Sequence, residues 1–213
     1  MGRLLRFLFY AVLVRLVVLV VLGLNVRHRE RLPHDGPALI VANHNSHLDT
    51  MVLITLLPLH LLSRIRPVAA MDYFLKNKWL AWFAVEVVGI LPLARERKQP
   101  GQDVLADVHA ALDRGDILIF FPEGTRGEPE QMQSFKSGIA RVAERHPDVP
   151  VVPVFLHGLG KALPKGSLLP VPFFCDVMVG LPLSWTGDRP GYMAELDSSM
   201  RSLAEEGHFA QWE

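Results

Sequence analysis

Only one cysteine, Cys175, occurs in the 213 residues. A single thiol excludes an intrachain disulfide and a cysteine-built zinc cluster, and it fits a reducing compartment. Charge of either sign is equally lacking in excess. Lys plus Arg and Asp plus Glu number 22 each, so the net charge is zero. The basic surplus of a nucleic-acid binder is absent, and no nucleic-acid partner is expected. There is no H-E-x-x-H pair and no G-x-S-x-G elbow, which removes the zinc-protease helix and the hydrolase nucleophile turn. Internal repeats and low-complexity stretches are also missing.

What the chain has in surplus is apolar surface. Half of the residues are hydrophobic, and the mean hydropathy is +0.23. Residues 4 to 26 read LLRFLFYAVLVRLVVLVVLGLNV, and from Phe7 to Leu24 Arg15 is the sole charged residue. A bilayer span needs about 20 such residues. An arginine near the middle costs about 2.5–3.5 kcal/mol on insertion scales, a cost that a helix lying in the interface avoids. Arg3 and Arg6 precede the run, and Arg27, Arg29 and Arg31 follow it. Basic flanks favour anionic headgroups and the cytoplasmic side. Residues 1–27 are therefore expected to form a membrane-associated hydrophobic helix, spanning or interfacial, ahead of a domain over 28–213.

Beyond a polar connector at 27–37, apolar runs alternate with helical patterns. Strands are expected at 38–42, 66–71, 89–94, 117–121, 149–156 and 173–180. Helices are expected at 72–87, with Asp72 as N-cap, and at 101–115, 135–145 and 192–206. The run 50–57 is apolar and ends at Pro58. This alternation predicts a single α/β domain with a mostly parallel central sheet flanked by helices. Functional residues in such sheets gather beyond the carboxyl ends of the strands. Those ends carry His44, His47 and Asp49 after ALIVA, Arg95 after GILPLA, and Glu123, Gly124, Thr125 and Arg126 after ILIFFP.

Three readings compete for His44, His47 and Asp49: a metal site, a catalytic His–Asp pair, or a polar loop. An aspartate five residues after a histidine can fold back, fix the imidazole tautomer and leave the ring able to act as a base. A metal would need more ligands than this spacing warrants, so no metal is expected. The turn after Phe121 offers backbone N–H groups, a hydroxyl and a guanidinium, a set suited to phosphate.

The order of these motifs resembles the glycerolipid acyltransferase family that contains the 1-acylglycerol-3-phosphate acyltransferases. N-H-x4-D is present as Asn43, His44 and Asp49. A glycine followed by an arginine appears as Gly89 to Arg95, with Ala94 where a polar residue is common. F-P-E-G-T-R is Phe121 to Arg126, and V-P-V-V-P-V is Val149 to Val154. The resemblance covers about residues 38 to 182. It implies transfer of a fatty acyl chain from acyl-CoA or acyl carrier protein to a lyso-lipid hydroxyl, with no cofactor. The first expectation is 1-acylglycerol-3-phosphate as acceptor and phosphatidic acid as product. Another lyso-lipid, such as lyso-ornithine lipid, is the alternative. His44 is then the base, oriented by Asp49, and His47 a bystander. Arg95, Glu123, Gly124, Thr125 and Arg126 handle the phosphate and its surroundings, while Asn43, Pro122, Pro150 and Pro153 shape the site. The expected location is the cytoplasmic face of a bacterial inner membrane. A hydrolase and a lipid-binding protein without activity are the rivals from other classes.

Overall fold

The computed structural model describes residues 2–71, 77–94, 103–127, 131–164, 167 and 169–209. Among them, seven strands form one sheet: β1 (Leu22–Arg27), β2 (Ala38–Ala42), β3 (Ile65–Ala70), β4 (Leu91–Leu93), β5 (Ile117–Phe120), β6 (Val151–His157) and β7 (Phe173–Val179). Their order is β1-β7-β6-β2-β5-β3-β4. All neighbours are parallel except β6 and β7. Every residue of β2, β5 and β6 is buried, as strands covered on both faces must be.

Two hydrophobic layers cover the sheet. On one face, Val52 and Leu53 of helix His47–Leu56 pack with Ile40, Ala42, Ile117 and Ile119. On the other, helices Ala106–Asp113, Gly138–Arg145 and Arg189–Glu206 pack against Leu39, Val41, Leu118 and Phe120. The chain thus leaves β2 towards β3 over one face, and leaves β5 towards β6 over the opposite face. The two loops part above adjacent strand ends, where open α/β sheets place their crevice.

The N-terminal helix runs over Gly2–Val21 and stops short of the expected end at residue 27. Leu22–Arg27 is instead the edge strand β1, paired in parallel with β7. Its alternation gives the physical reason: Leu22, Leu24 and Val26 face the core, while Gly23, Asn25 and Arg27 point away. A period of two is the signature of a half-buried strand. The helix itself is part of the domain, since Tyr10, Val14 and Val18 are buried in the first core layer. Arg6, expected among the headgroups, is also buried, donating to the Ile65 carbonyl at 2.6 Å.

The helix expected over 72–87 is seen from Lys78, continuing in wider turns to Val88. Asp72 lies outside the described residues, and the N-cap is Asn77, whose side chain accepts from Trp79 N–H at 2.9 Å. The helix Leu159–Ala162 follows β6 directly and carried no periodic signal long enough to read.

Candidate active site

The loop leaving β2 is held at both ends. The buried Asn43 side chain donates to the Leu156 carbonyl at 2.9 Å and accepts from the Leu156 N–H at 2.7 Å. It extends the β2–β6 pairing by a side chain, so the residue before His44 cannot drift. Asn43→Leu leaves two buried backbone groups unpaired, at about 1–3 kcal/mol each. A lowered denaturation midpoint is the expected readout.

Next, Ser46 caps helix His47–Leu56, accepting from Leu48 N–H at 3.3 Å, and Asp49 completes a capping box. This puts Asp49 in the first turn with its carboxylate pointing back over the loop. Oδ2 accepts from Asn45 N–H at 2.7 Å, Ser46 N–H at 2.8 Å and His44 Nδ1 at 2.9 Å. A carboxylate can only accept, so Nδ1 carries the proton and Nε2 keeps its lone pair. Asp49 is fully buried, while the His44 side chain is 18 % exposed. One edge of the ring is therefore open to a ligand while the other is fixed. The ring stacks on Phe121, centroids 4.0 Å apart.

The turn after β5 clasps His44 by its backbone. Glu123 Oε1 accepts the His44 N–H at 3.1 Å, and Gly127 N–H donates to the His44 carbonyl at 2.9 Å. Glu123 was expected beside a phosphate, but its carboxyl is buried at 3 % exposure and faces the histidine loop. That placement suits positioning of His44 rather than contact with an anion. Burial pushes its pKa up to about 7, opposed by the N–H groups of His44 and Gln133 and reinforced by Asp49. A carboxyl raised on folding binds its proton more tightly in the native state. Its contribution is complete below the ordinary value of 4.5 and is lost as pH rises through about 7. Relative to Glu123→Gln, the wild type is expected to lose on the order of 3 kcal/mol across that window. Melting temperatures of the two proteins over the same pH range would measure it.

Gly124 adopts φ +75°, a left-handed conformation that glycine takes without strain. Close above it lies the Lys136 ammonium, 2.5 Å from where a Cβ would stand. Thr125 is exposed and Arg126 is half-buried. Desolvation, Arg126 and His44 lower the pKa of His47, against Asp49, which places the Arg126 charge near His47. Pro122 is buried, and its carbonyl accepts from Lys136 N–H at 2.9 Å. Pro150 and Pro153 shape β6: the Pro150 carbonyl accepts from Leu39 N–H at 2.9 Å, and Pro153 lies opposite Val41. Arg95 lies outside the described residues.

The structure therefore gathers Asn43, His44, Asp49, Glu123, Gly124 and Arg126 about the ends of β2 and β5. Two contributors had no role assigned from sequence. Phe121, the first residue of the F-P-E-G-T-R motif, is the surface on which His44 stacks, and Ser46, which carried no signal, is the cap. Among the described residues, no group of three His, Cys, Asp or Glu side chains could hold a metal ion.

Comparison with known proteins bears on the same region. A family model described as "Acyltransferase" matches residues 23–157. A chloroplastic 1-acyl-sn-glycerol-3-phosphate acyltransferase of Arabidopsis thaliana is 34% identical over 145 residues, covering 68% of this chain and 38% of that protein. The alpha form of 1-acyl-sn-glycerol-3-phosphate acyltransferase of Mus musculus is 29% identical over 178 residues, covering 83% and 60%. The chain thus spans 38% to 60% of the length of these two relatives. The crystal structure of a 1-acyl-sn-glycerophosphate acyltransferase from Thermotoga maritima shares the fold. Its TM-score is 0.73 at 22% identity, covering 100% of this chain and 81% of that one. The matched stretch begins in β1, ends with β6 and encloses both clasped loops, and by that match the chain belongs to the acyltransferase family.

Proposed function

We propose that the protein moves a fatty acyl chain from a thioester donor, acyl-CoA or acyl carrier protein, to the free hydroxyl of a lyso-glycerophospholipid. The preferred acceptor is 1-acylglycerol-3-phosphate, and the product is phosphatidic acid. The observation that carries this reading is the His44–Asp49 contact of 2.9 Å, set beside a glycine turn bearing Arg126. A lipid hydroxyl is a weak nucleophile near neutral pH and needs a base. His44 Nε2 takes its proton as the oxygen attacks the thioester carbonyl. The C–S bond then breaks, and the thiolate leaves with the proton returned by the imidazolium. Asp49 stabilises that imidazolium and holds the ring. Arg126, the Gly124–Thr125 turn and Lys136 hold the acceptor phosphate, with Arg95 as a further contributor. Fixing the phosphate sets the distance from hydroxyl to base and reduces the orientation cost. Cys175 is fully buried in β7, which supports direct transfer without an acyl-enzyme.

The acceptor and the site must meet at a lipid surface. Leu5, Leu8, Val12, Leu13 and Leu16 of the N-terminal helix are exposed, as are Trp79 and Trp82 of the helix that packs beside it. Its other face is committed to the core, which favours a helix lying in the interface over one crossing the bilayer. Exposed tryptophans suit the headgroup zone. The basic flank at Arg27, Arg29 and Arg31 supports the cytoplasmic face of a bacterial inner membrane, where thioester donors are made.

A transfer assay in vesicles tests the reading, with both donors offered against 1-acylglycerol-3-phosphate and neutral or zwitterionic lyso-lipids. Phosphatidic acid formed in preference, and insensitive to a chelator, is the expected result. Release of free fatty acid in place of transfer would make the protein a hydrolase.

A further inference from the structure

Arg15 is the one charge inside the apolar run, and the acyl-transfer site does not use it. It lines a cavity of about 340 Å³ together with Arg29, Glu30, His34, Leu57 and Pro58. This cavity lies at the C-terminal end of helix His47–Leu56, opposite the end that carries Asp49. Ten residues of helix separate the two ends, about 15 Å. Arg15 is half-buried, and its side chain has no hydrogen bond or ion pair among the described residues. Arg29 gives one N–H to the Leu56 carbonyl at 3.3 Å, which leaves the rest of its fork unspent. Glu30, the single acid in the lining, lies 3.7 Å from His28. Two arginines against one glutamate leave the cavity cationic.

Apart from His34, the rest of the lining is apolar: Leu32, Pro33, Leu56, Leu57 and Pro58. Leu16, next to Arg15 in the chain, is exposed at 58%. Two arginines set among apolar side chains suit an amphiphile better than a free anion. At a bilayer surface a guanidinium is drawn to anionic headgroups, by about 1 kcal/mol per charge. The forked geometry of Arg matches a phosphate.

We propose that this cavity is a second lipid site, separate from the acyl-transfer site, that binds the phosphate of an anionic membrane phospholipid between Arg15 and Arg29. The proposal rests on the interfacial placement of the N-terminal helix. A lipid held there fixes the depth and roll of the protein on the membrane, so that the His44 end meets its acceptor in a constant attitude.

Vesicle co-sedimentation of the full chain tests it. The vesicles are pure phosphatidylcholine, or phosphatidylcholine with one-fifth phosphatidylglycerol. Wild type is expected to bind both and to prefer the anionic vesicles. Arg15→Leu should lose roughly fivefold of that preference while binding neutral vesicles at least as well as wild type. Arg15→Lys should recover part of the loss. Arg3→Gln, an exposed arginine outside the cavity, controls for loss of charge alone and should cost less than Arg15→Leu. Equal anionic preference in wild type and Arg15→Leu overturns the site, as does an equal loss in Arg3→Gln. Competition by millimolar sn-glycerol 3-phosphate, dependent on Arg15, would reassign the cavity to a free phosphate ligand and overturn the lipid assignment. Failure of wild type to bind either vesicle overturns the interfacial reading itself and is distinct from loss of the anionic preference alone.

Discussion

Replacing His44 with alanine is expected to lower acyl transfer by about 10²–10⁴-fold, the usual contribution of a general base. The fold should survive. The His44 side chain is partly exposed, and although alanine gives up the Nδ1 bond, Asp49 keeps its two backbone donors and the loop stays held through the His44 N–H and C=O, to Glu123 and Gly127. Alanine keeps both groups. Acceptor affinity should change little, because the proposed phosphate contacts lie on the turn and its cations rather than on the imidazole. A fall in kcat with KM nearly constant is the pattern of an interaction made only in the transition state. His47→Ala supplies the contrast. His47 is exposed, and the ring that Asp49 Oδ2 holds is that of His44, so the loss of His47 should cost far less.

Asp49→Asn is expected to be nearly as severe, at about 10²–10⁴-fold, for a different reason. One atom of the carboxylate, Oδ2, accepts from Asn45 N–H, Ser46 N–H and His44 Nδ1, so an asparagine oxygen in that place keeps the helix cap and the orientation of the ring. What it lacks is the negative charge. The imidazolium formed as the proton is taken then has no carboxylate beside it, and the base is weakened. The variant should fold, bind acceptor and fail to turn over. Asp49→Ala is the harsher change, because it also removes the capping box, at about 0.5–2 kcal/mol. A melting temperature close to wild type for Asp49→Asn, with activity lost, would separate the charge that stabilises the imidazolium from stability of the fold.

How much of this was legible in the chain depends on what each segment's signal was. The strands Ala38–Ala42, Ile117–Phe120, Val151–His157 and Phe173–Val179 fall within two residues of the expected ranges, since each is a dense apolar run bounded by turn residues. Strand β1 was hidden because Leu22, Leu24 and Val26 continue the composition of the helix before them, and only their alternation differs. Nothing local states that β7 runs antiparallel to β6, because direction is set by the connection and the packing.

The pairing of His44 with Asp49 follows from a five-residue spacing across a helix start, and the sequence carries that geometry directly. The role of Glu123 does not. Its neighbour in space, His44, lies 79 positions away, and the same carboxyl could have turned towards solvent. The fork from Asn43 to Leu156 spans 113 positions and is equally invisible before folding.

The central claim is that His44, held by Asp49, serves as the base in acyl transfer to a lyso-lipid. Its most direct test is turnover of purified protein in vesicles containing 1-acylglycerol-3-phosphate and a labelled acyl thioester, beside the His44→Ala protein. Labelled phosphatidic acid from the wild type, reduced at least a hundredfold in the variant at unchanged fold, is the predicted result. Equal product from both proteins would contradict the account.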